Sequence, residues 1–145
     1  MTLLELIIAC AILLILSSAA LPIAKYTVIR QKEAELHHDL REIKDAIDRY
    51  KDAADRNQIR VEIGSEGYPP DLETLVKGVQ LGASSDRKIR FLRKIPVDPM
   101  TGQAEWGLRA VQDDPDSTSW GGKNVFDVYS KSTATALDGT KYSDW

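Results

Sequence analysis

The sequence has few of the residues that build disulfide frameworks, metal centres and nucleic-acid interfaces. Its one cysteine, Cys10, excludes an intrachain disulfide and a cysteine-rich zinc site, and its apolar neighbours predict a buried small side chain. Nineteen basic and 22 acidic residues give a net charge of −3, which argues against a strongly basic nucleic-acid-binding face. We therefore expect no nucleic-acid partner.

Signatures of catalysis are also missing. The sequence has no glycine-rich phosphate loop, no nucleophile elbow and no metal-spaced set of histidines or cysteines. His37 and His38 are adjacent, hence about 100° apart on a helix, and we interpret them as a solvated pair. Asp113, Asp114 and Asp116 have the composition of a turn. We expect no enzymatic role and assign no catalytic or cofactor-binding residue.

Charge is absent from one long segment. Leu6 to Ala24 are 19 uncharged residues, all 19 Lys and Arg lie at or beyond Lys25, and Glu5 is the single charge before the segment. As a helix the segment spans about 28 Å, which matches the hydrocarbon core of a bilayer. A cleavable signal peptide would carry basic residues before its apolar core, so we predict a membrane-spanning or filament-core helix over residues 1–24. The basic residues that follow favour a cytoplasmic C-terminal side by themselves, and the orientation stays open.

The same helix is predicted to continue beyond the apolar segment. One apolar stripe recurs at helical spacing, through Tyr26, Ile29, Leu36, Leu40, Ile43, Ile47, Tyr50 and Ala54. A helix from Thr2 to Arg56 would be about 80 Å long. Residues 25–57 can pack against the C-terminal region, whereas residues 1–24 need a bilayer or other copies of the chain.

Pro22 interrupts the predicted helix. Proline lacks the backbone donor that would reach the carbonyl of Ser18 and clashes with that carbonyl. We expect a kink or local melting near Pro22, made easier if Ser17 and Ser18 hydrogen-bond to the helix backbone. A simple kink without functional meaning is the alternative.

Glu5 is an acid at the start of the apolar run. An ionised carboxylate is costly to bury without a cation. If Met1 is the mature N-terminus, its α-amino group is the nearest cation, in the same chain or in a neighbouring helix. The alternative places Glu5 in the headgroup layer, where the helix dipole favours a negative charge.

The C-terminal region, residues 58–145, is predicted to form a small α+β head. A loop precedes a short helix that begins at Pro70 and ends at Gly78. Val79 to Arg90 is predicted to be a solvated loop, and the runs Ala104 to Val111 and Asn124 to Ser130 to be antiparallel strands. The predicted fold class is thus α+β, with a long N-terminal helix packed on a small antiparallel sheet. Tyr142 and Trp145 are expected to hold the tail in place.

The N-terminus resembles the mature N-terminus of type IV pilin-like proteins. The resemblance is carried by Met1 to Leu6 (MTLLEL), the apolar run, Pro22 and the amphipathic continuation. It implies that a prepilin peptidase cuts a basic leader before Met1, that Met1 is then N-methylated, and that Met1 and Glu5 act in assembly. Met1 departs from the usual Phe, and Leu14 from the Gly of many pilus-forming members.

The C-terminal half resembles the major pseudopilin of the type II secretion system. The resemblance is carried by Tyr68-Pro69-Pro70, by the segment from Leu92 to Pro99 (LRKIPVDP), by Asp127 to Ser130 (DVYS), and by Trp145. That branch commonly binds calcium in its C-terminal loop, but residues 131–135 contain no acid here. Asp138 and Asp144 with backbone carbonyls can furnish a site, a metal-free loop is the alternative, and no ligands are assigned.

These resemblances imply a structural subunit that polymerises through its N-terminal helix into a helical pseudopilus for type II protein secretion. The implied partners are other copies of the chain, the inner-membrane assembly platform, prepilin peptidase and minor pseudopilins. The subunit would lie in the inner membrane before assembly, with its head in the periplasm, and then in a periplasmic filament that can extend to the cell surface. The alternatives are a surface-exposed type IV pilus subunit and a membrane-anchored periplasmic binding module.

Overall fold

A single helix dominates the fold. The computed structural model describes residues 1–83 and 86–145. These residues form two α-helices, four short strands and a terminal 3₁₀ turn, and their bounds are α1 (Leu3–Asp55), α2 (Leu72–Lys77), β1 (Val79–Gln80), β2 (Lys88–Ile89), β3 (Trp106–Arg109), β4 (Asp127–Ser130) and the turn Tyr142–Asp144. The architecture is α+β with a long N-terminal helix, which confirms the predicted fold class.

Helix α1 begins and ends within one residue of its predicted bounds, with Thr2 as N-cap and Arg56 as C-cap. Its 53 residues correspond to about 80 Å. The helix continues without a break through Pro22, so the local melting expected as one outcome there is absent from the described chain. Proline removes only one donor, and helical hydrogen bonds persist on both sides. Ser18 Oγ donates to the carbonyl of Ile15 at 2.8 Å, a local backbone bond of the expected kind.

The head packs on the second half of α1. The buried stripe of this helix starts at Leu36 and continues through Leu40, Ile43, Ile47 and Tyr50, as predicted. Contact with the head begins at Glu33, whose carboxylate accepts hydrogen bonds from the tail. The side chains before Glu33 are exposed or half-buried. The protruding part of α1 therefore extends past the boundary placed at residue 25.

Strands β3 and β4 form an antiparallel pair, as the sequence predicts, although each is shorter than predicted. Their register runs from Trp106 opposite Ser130 to Arg109 opposite Asp127. Trp106 is buried, and its indole N–H donates to the carbonyl of Pro96 at 3.0 Å. This pair covers the buried stripe of α1 and joins it to the proline-rich segment.

The prediction of a solvated loop over Val79 to Arg90 is wrong in part, because β1 and β2 pair there in antiparallel fashion. The main-chain N–H of Leu81 donates to the carbonyl of Arg87 at 2.9 Å. Each strand has only two residues, so their alternation of side chains is too short to be recognised in the sequence. The short helix α2 before them begins two residues after the predicted start at Pro70, with Asp71 as N-cap, and it ends as predicted, with Gly78 as C-cap.

The terminal aromatic residues fasten the tail to α1, as expected. Tyr142 is 3% exposed, and the Trp145 ring stacks on the His37 imidazole with 4.0 Å between centroids. His37 and His38 are both exposed, in agreement with their interpretation as a solvated pair, and Trp145 covers one face of the His37 ring. Trp145 is far from His37 in the sequence, so local spacing gave no signal for the contact between them.

Candidate functional site

The most distinctive surface of the molecule is the protruding half of α1. All residues from Met1 to Val28 are exposed. Its large apolar side chains are between 50% and 97% exposed, and they are Met1, Leu3, Leu4, Leu6, Ile7, Ile8, Ile12, Leu13, Leu14, Ile15, Leu16, Leu21, Ile23, Tyr26 and Val28. Monomeric soluble proteins rarely leave so large an apolar surface in water. By length and composition, α1 can cross a membrane.

Cys10 belongs to this surface. The prediction of a buried cysteine is wrong for the single chain, where its thiol is free and exposed. The apolar neighbours that prompted the prediction are exposed as well, because no element of the head reaches this part of α1. Burial of Cys10 thus requires lipid or another protein.

Thr2 and Glu5 form a reciprocal cap at the start of α1. The main-chain N–H of Glu5 donates to Thr2 Oγ1 at 3.3 Å, and the main-chain N–H of Thr2 donates to Glu5 Oε2 at 3.4 Å. Such a capping box satisfies two backbone donors that the first helical turn leaves free. The pattern Thr-x-x-Glu is the sequence signal of this cap, which was not among the predictions.

The same-chain partner considered for Glu5 is not found. Among the ion pairs of residues 1–83 and 86–145, none joins Met1 to Glu5. The carboxylate instead accepts one long hydrogen bond from Thr2. Its charge is therefore not neutralised within the chain, and pairing with Met1 of a neighbouring copy stays a prediction.

A second group of contacts fixes helix α1 to the head. Glu33 Oε1 accepts hydrogen bonds from the Leu137 main-chain N–H at 2.9 Å and from the Tyr142 hydroxyl at 3.0 Å. One turn after Leu40, Lys44 Nζ lies 3.2 Å from Asp127 Oδ1 of β4. Burial and the Glu33 carboxylate raise the pKa of Tyr142. These contacts make the tail, β4 and α1 one unit.

One cluster of metal-ligating side chains lies on α1 beside the head. Nitrogen or oxygen atoms of His38, Asp39 and Glu42 all lie within 4.8 Å of one another. Burial is the main reason why the pKa of Asp39 is raised, and the carboxylates of Glu35, Glu42 and Asp98 add to the shift, whereas His38 opposes it. This cluster was not predicted from the sequence.

Asp138 and Asp144, the acids considered as calcium ligands, form no such cluster among the described residues. Asp138 Oδ1 accepts hydrogen bonds from the main-chain N–H and the hydroxyl of Thr140, at 2.9 and 2.6 Å. These bonds hold the pKa of Asp138 below its usual value. Within the described residues, neither Asp138 nor Asp144 belongs to a group of three close metal ligands.

Comparisons with known proteins add no relative. No family model, no curated protein and no solved structure matches this chain.

Proposed function

We propose that the chain is a structural subunit that polymerises through the protruding half of α1 into a helical filament of the type IV pilin-like kind. The observation that carries the proposal is that every residue from Met1 to Val28 is exposed, although most of them are apolar. An apolar helix of this length needs lipid or protein around it. In the proposed filament, the same segments of neighbouring copies supply that cover.

The continuity of α1 favours a filament over a simple membrane anchor. An anchor needs only a span that crosses the bilayer, and its head can hang from a flexible linker. Here α1 passes unbroken from the apolar half into the core of the head, where Leu36, Ile43 and Ile47 have no exposed surface. A rigid junction gives every copy the same geometry, which repeated heterologous contacts require.

Glu5 supplies the second argument. Within an apolar filament core its carboxylate needs a cation, and no ion pair of the described chain provides one. In our proposal the N-methylated amino group of Met1 in an adjacent copy takes this role. The capping bond from Thr2 leaves the other carboxylate oxygen, Oε1, available for it.

We further propose that the filament is a periplasmic pseudopilus for type II protein secretion. The support is the resemblance of the C-terminal half, two of whose motif segments are bonded to each other through Asp98 and Ser130. Tyr68 contacts Phe126 edge-on at 5.3 Å and lies beneath Lys51 Nζ at 5.4 Å, while Ser130 Oγ donates to Asp98 Oδ2 at 2.6 Å. The subunit would enter the inner membrane, be processed by prepilin peptidase and then be extracted into the filament.

The decisive experiment compares filament yield for two matched variants. Glu5→Gln removes the charge from the apolar rod without changing its shape, and Glu105→Gln makes the same change on the exposed head surface, where Glu105 is 3.7 Å from Lys131. Electron microscopy of sheared and envelope fractions is expected to show filaments for the wild type and Glu105→Gln but few for Glu5→Gln. Normal filament yield from Glu5→Gln contradicts the proposed pairing.

Three further measurements separate the alternatives. Mass spectrometry of the first peptide is expected to show N-methylated Met1, whereas an uncut upstream extension contradicts the pilin-like interpretation. Filaments seen on the cell surface at natural expression identify a type IV pilus instead of a pseudopilus. Monomers in detergent that never assemble, from cells holding the complete secretion machinery, identify the anchored periplasmic module.

A further inference from the structure

Three basic side chains lie on α1 between its apolar segment and the head. They are Lys25, Arg30 and Lys32, and all three are exposed. The sequence has no acid from Leu6 to Lys32, so residues 25–32 carry a net charge of +3. Within residues 1–83 and 86–145 none of the three cations takes part in an ion pair. This stretch of α1 is therefore basic and has no acidic partner in the described chain.

The length of the apolar segment sets the depth of these cations in a membrane. The 19 uncharged residues from Leu6 to Ala24 span about 28 Å as a helix, close to the thickness of a hydrocarbon core. With this segment in a bilayer, Lys25 lies where the hydrocarbon ends, on the side of the head. Tyr26 follows at once and is exposed, and tyrosine is enriched at this level of membranes.

Arg30 and Lys32 lie farther from the hydrocarbon than Lys25, by about 7.5 and about 10.5 Å along the helix axis. Side chains of a helix slope toward its N-terminus, which is the direction of the bilayer here. The long apolar stems of Arg and Lys also follow apolar surface while the charged ends stay in polar surroundings. The headgroup layer is about 5–8 Å thick, so the charged ends of all three side chains can reach the phosphates of one leaflet.

The contacts of the head with α1 begin only after these cations. Glu33 is the first acid beyond Lys32, and its carboxylate accepts hydrogen bonds from the Leu137 main-chain N–H and the Tyr142 hydroxyl. In the described chain neither Glu33 nor the next acid, Glu35, forms an ion pair with a basic residue. The complement of the three cations is therefore an anion from outside the chain.

We propose that Lys25, Arg30 and Lys32 bind the headgroups of anionic phospholipids in the leaflet next to the head, before the subunit enters a filament. Charge complementarity selects these lipids, because a zwitterionic lipid such as phosphatidylcholine has no net charge to offset three cations. Each Lys or Arg close to an anionic membrane surface strengthens binding by about fivefold. The inference rests on the membrane-inserted state of the proposed function and needs no filament.

The experiment measures which lipid the full chain selects in vesicles of phosphatidylcholine. Trace amounts of phosphatidylglycerol or phosphatidylcholine, each with the same spin label on an acyl chain, report by electron spin resonance the fraction of lipid that the protein immobilises. The wild type is expected to prefer phosphatidylglycerol by at least about fivefold. The triple variant Lys25→Gln, Arg30→Gln, Lys32→Gln is expected to show no preference. Arg41→Gln, which removes an exposed cation of the same helix beyond Glu33, is expected to behave as the wild type does.

Salt distinguishes a lipid headgroup from free phosphate as the ligand. NaCl at about 1 M is expected to weaken the preference, because the Debye length falls to about 3 Å. Sodium phosphate at the same ionic strength is expected to weaken it equally. A larger effect of phosphate would identify the free anion as the ligand and overturn the proposal.

The other outcomes also decide. Loss of the preference in the triple variant, with Arg41→Gln unchanged, supports the proposal. Equal binding of both lipids by the wild type, an undiminished preference in the triple variant, or an equal loss in Arg41→Gln overturns it. The substituted side chains are exposed, so the variants are expected to fold, and circular dichroism checks this. A chain that inserts into vesicles without lipid preference contradicts this inference alone, whereas a chain that selects the lipid but forms no filaments in cells contradicts only the proposed function.

Discussion

The indole of Trp145 lies flat against the imidazole of His37, with 4.0 Å between the ring centroids and 8° between the ring planes. Trp145 also meets Tyr142 edge-on at 5.1 Å, and its indole N–H donates to Thr140 Oγ1 at 2.7 Å. The main-chain oxygen of Trp145 accepts from Lys44 Nζ at 3.2 Å. One residue thus joins the tail to α1 through both its side chain and its backbone.

Replacing Trp145 with Ala is expected to lower the free energy of unfolding of the head by about 2 kcal/mol, because two aromatic pairs of about 0.5–1.5 kcal/mol each are lost. His37→Ala removes only the stacked pair and is expected to cost about half as much. Urea unfolding, followed by near-ultraviolet circular dichroism, measures both. Equal unfolding midpoints for Trp145→Ala and the wild type would show that the tail does not hold the head.

Glu33 holds the tail at a second point, since its Oε1 accepts from both Leu137 and Tyr142. Glu33→Ala is expected to speed amide hydrogen exchange at Leu137 by at least about tenfold, because a hydrogen bond to a charged group contributes about 1.5–3 kcal/mol. Glu33→Gln keeps a carbonyl acceptor of the same shape and is expected to have a smaller effect. NMR or mass spectrometry measures the exchange rate of the Leu137 amide. An unchanged rate in Glu33→Ala contradicts the prediction.

The elements with a strong periodic signal were predictable from the sequence. The apolar spacing from Leu36 to Tyr50 predicted which face of α1 is buried, because helical periodicity reflects burial on one side. The run around Trp106 has an apolar residue at every second position, and it predicted β3 because such alternation indicates a strand with one buried face. Tyr142 was expected to anchor the tail because a large aromatic side chain gains most from burial.

Other features left weak signals or needed the three-dimensional structure. Strands β1 and β2 have two residues each, too few for any alternation to appear. Asp39 follows Leu36 by three residues and precedes Ile43 by four, so the helical pattern did place an acid on the buried face. The proximity of Asp98 to Asp39 had no counterpart in the sequence, because the two come from elements that meet only after folding.

The β3–β4 pair depends on a glycine. Gly107 lies opposite Tyr129, whose ring occupies the space where a side chain would start, and Arg109 covers the same ring at 4.1 Å. Gly107→Ala is expected to lower the free energy of unfolding by about 1–3 kcal/mol, since the new methyl group overlaps the ring. In a Tyr129→Ala background the same change is expected to cost much less. Additive effects in this double-mutant cycle contradict the contact.

The turn after β3 is fastened by an ionised acid, Asp113, whose Oδ2 accepts from the main-chain N–H groups of Ala110 at 2.7 Å and Gly121 at 3.0 Å. These two bonds hold the pKa of Asp113 below its ordinary value of 3.8. A lowered carboxyl pKa in the folded state means that the folded chain binds fewer protons than the unfolded chain between the two pKa values. The stabilisation is therefore complete above about pH 3.8 and is lost as the pH falls through the folded pKa.

Asp113→Asn tests this pH dependence, because the amide keeps an acceptor oxygen but carries no charge. The variant is expected to be less stable than the wild type at neutral pH, and the difference is expected to disappear in acid as the wild-type carboxyl group becomes protonated. Urea midpoints measured from about pH 2 to about pH 7 follow the difference. Asp116→Asn, in the same turn, controls for the loss of one negative charge. A stability gap that stays constant across this range would mean that the ionised form of Asp113 does not fasten the turn.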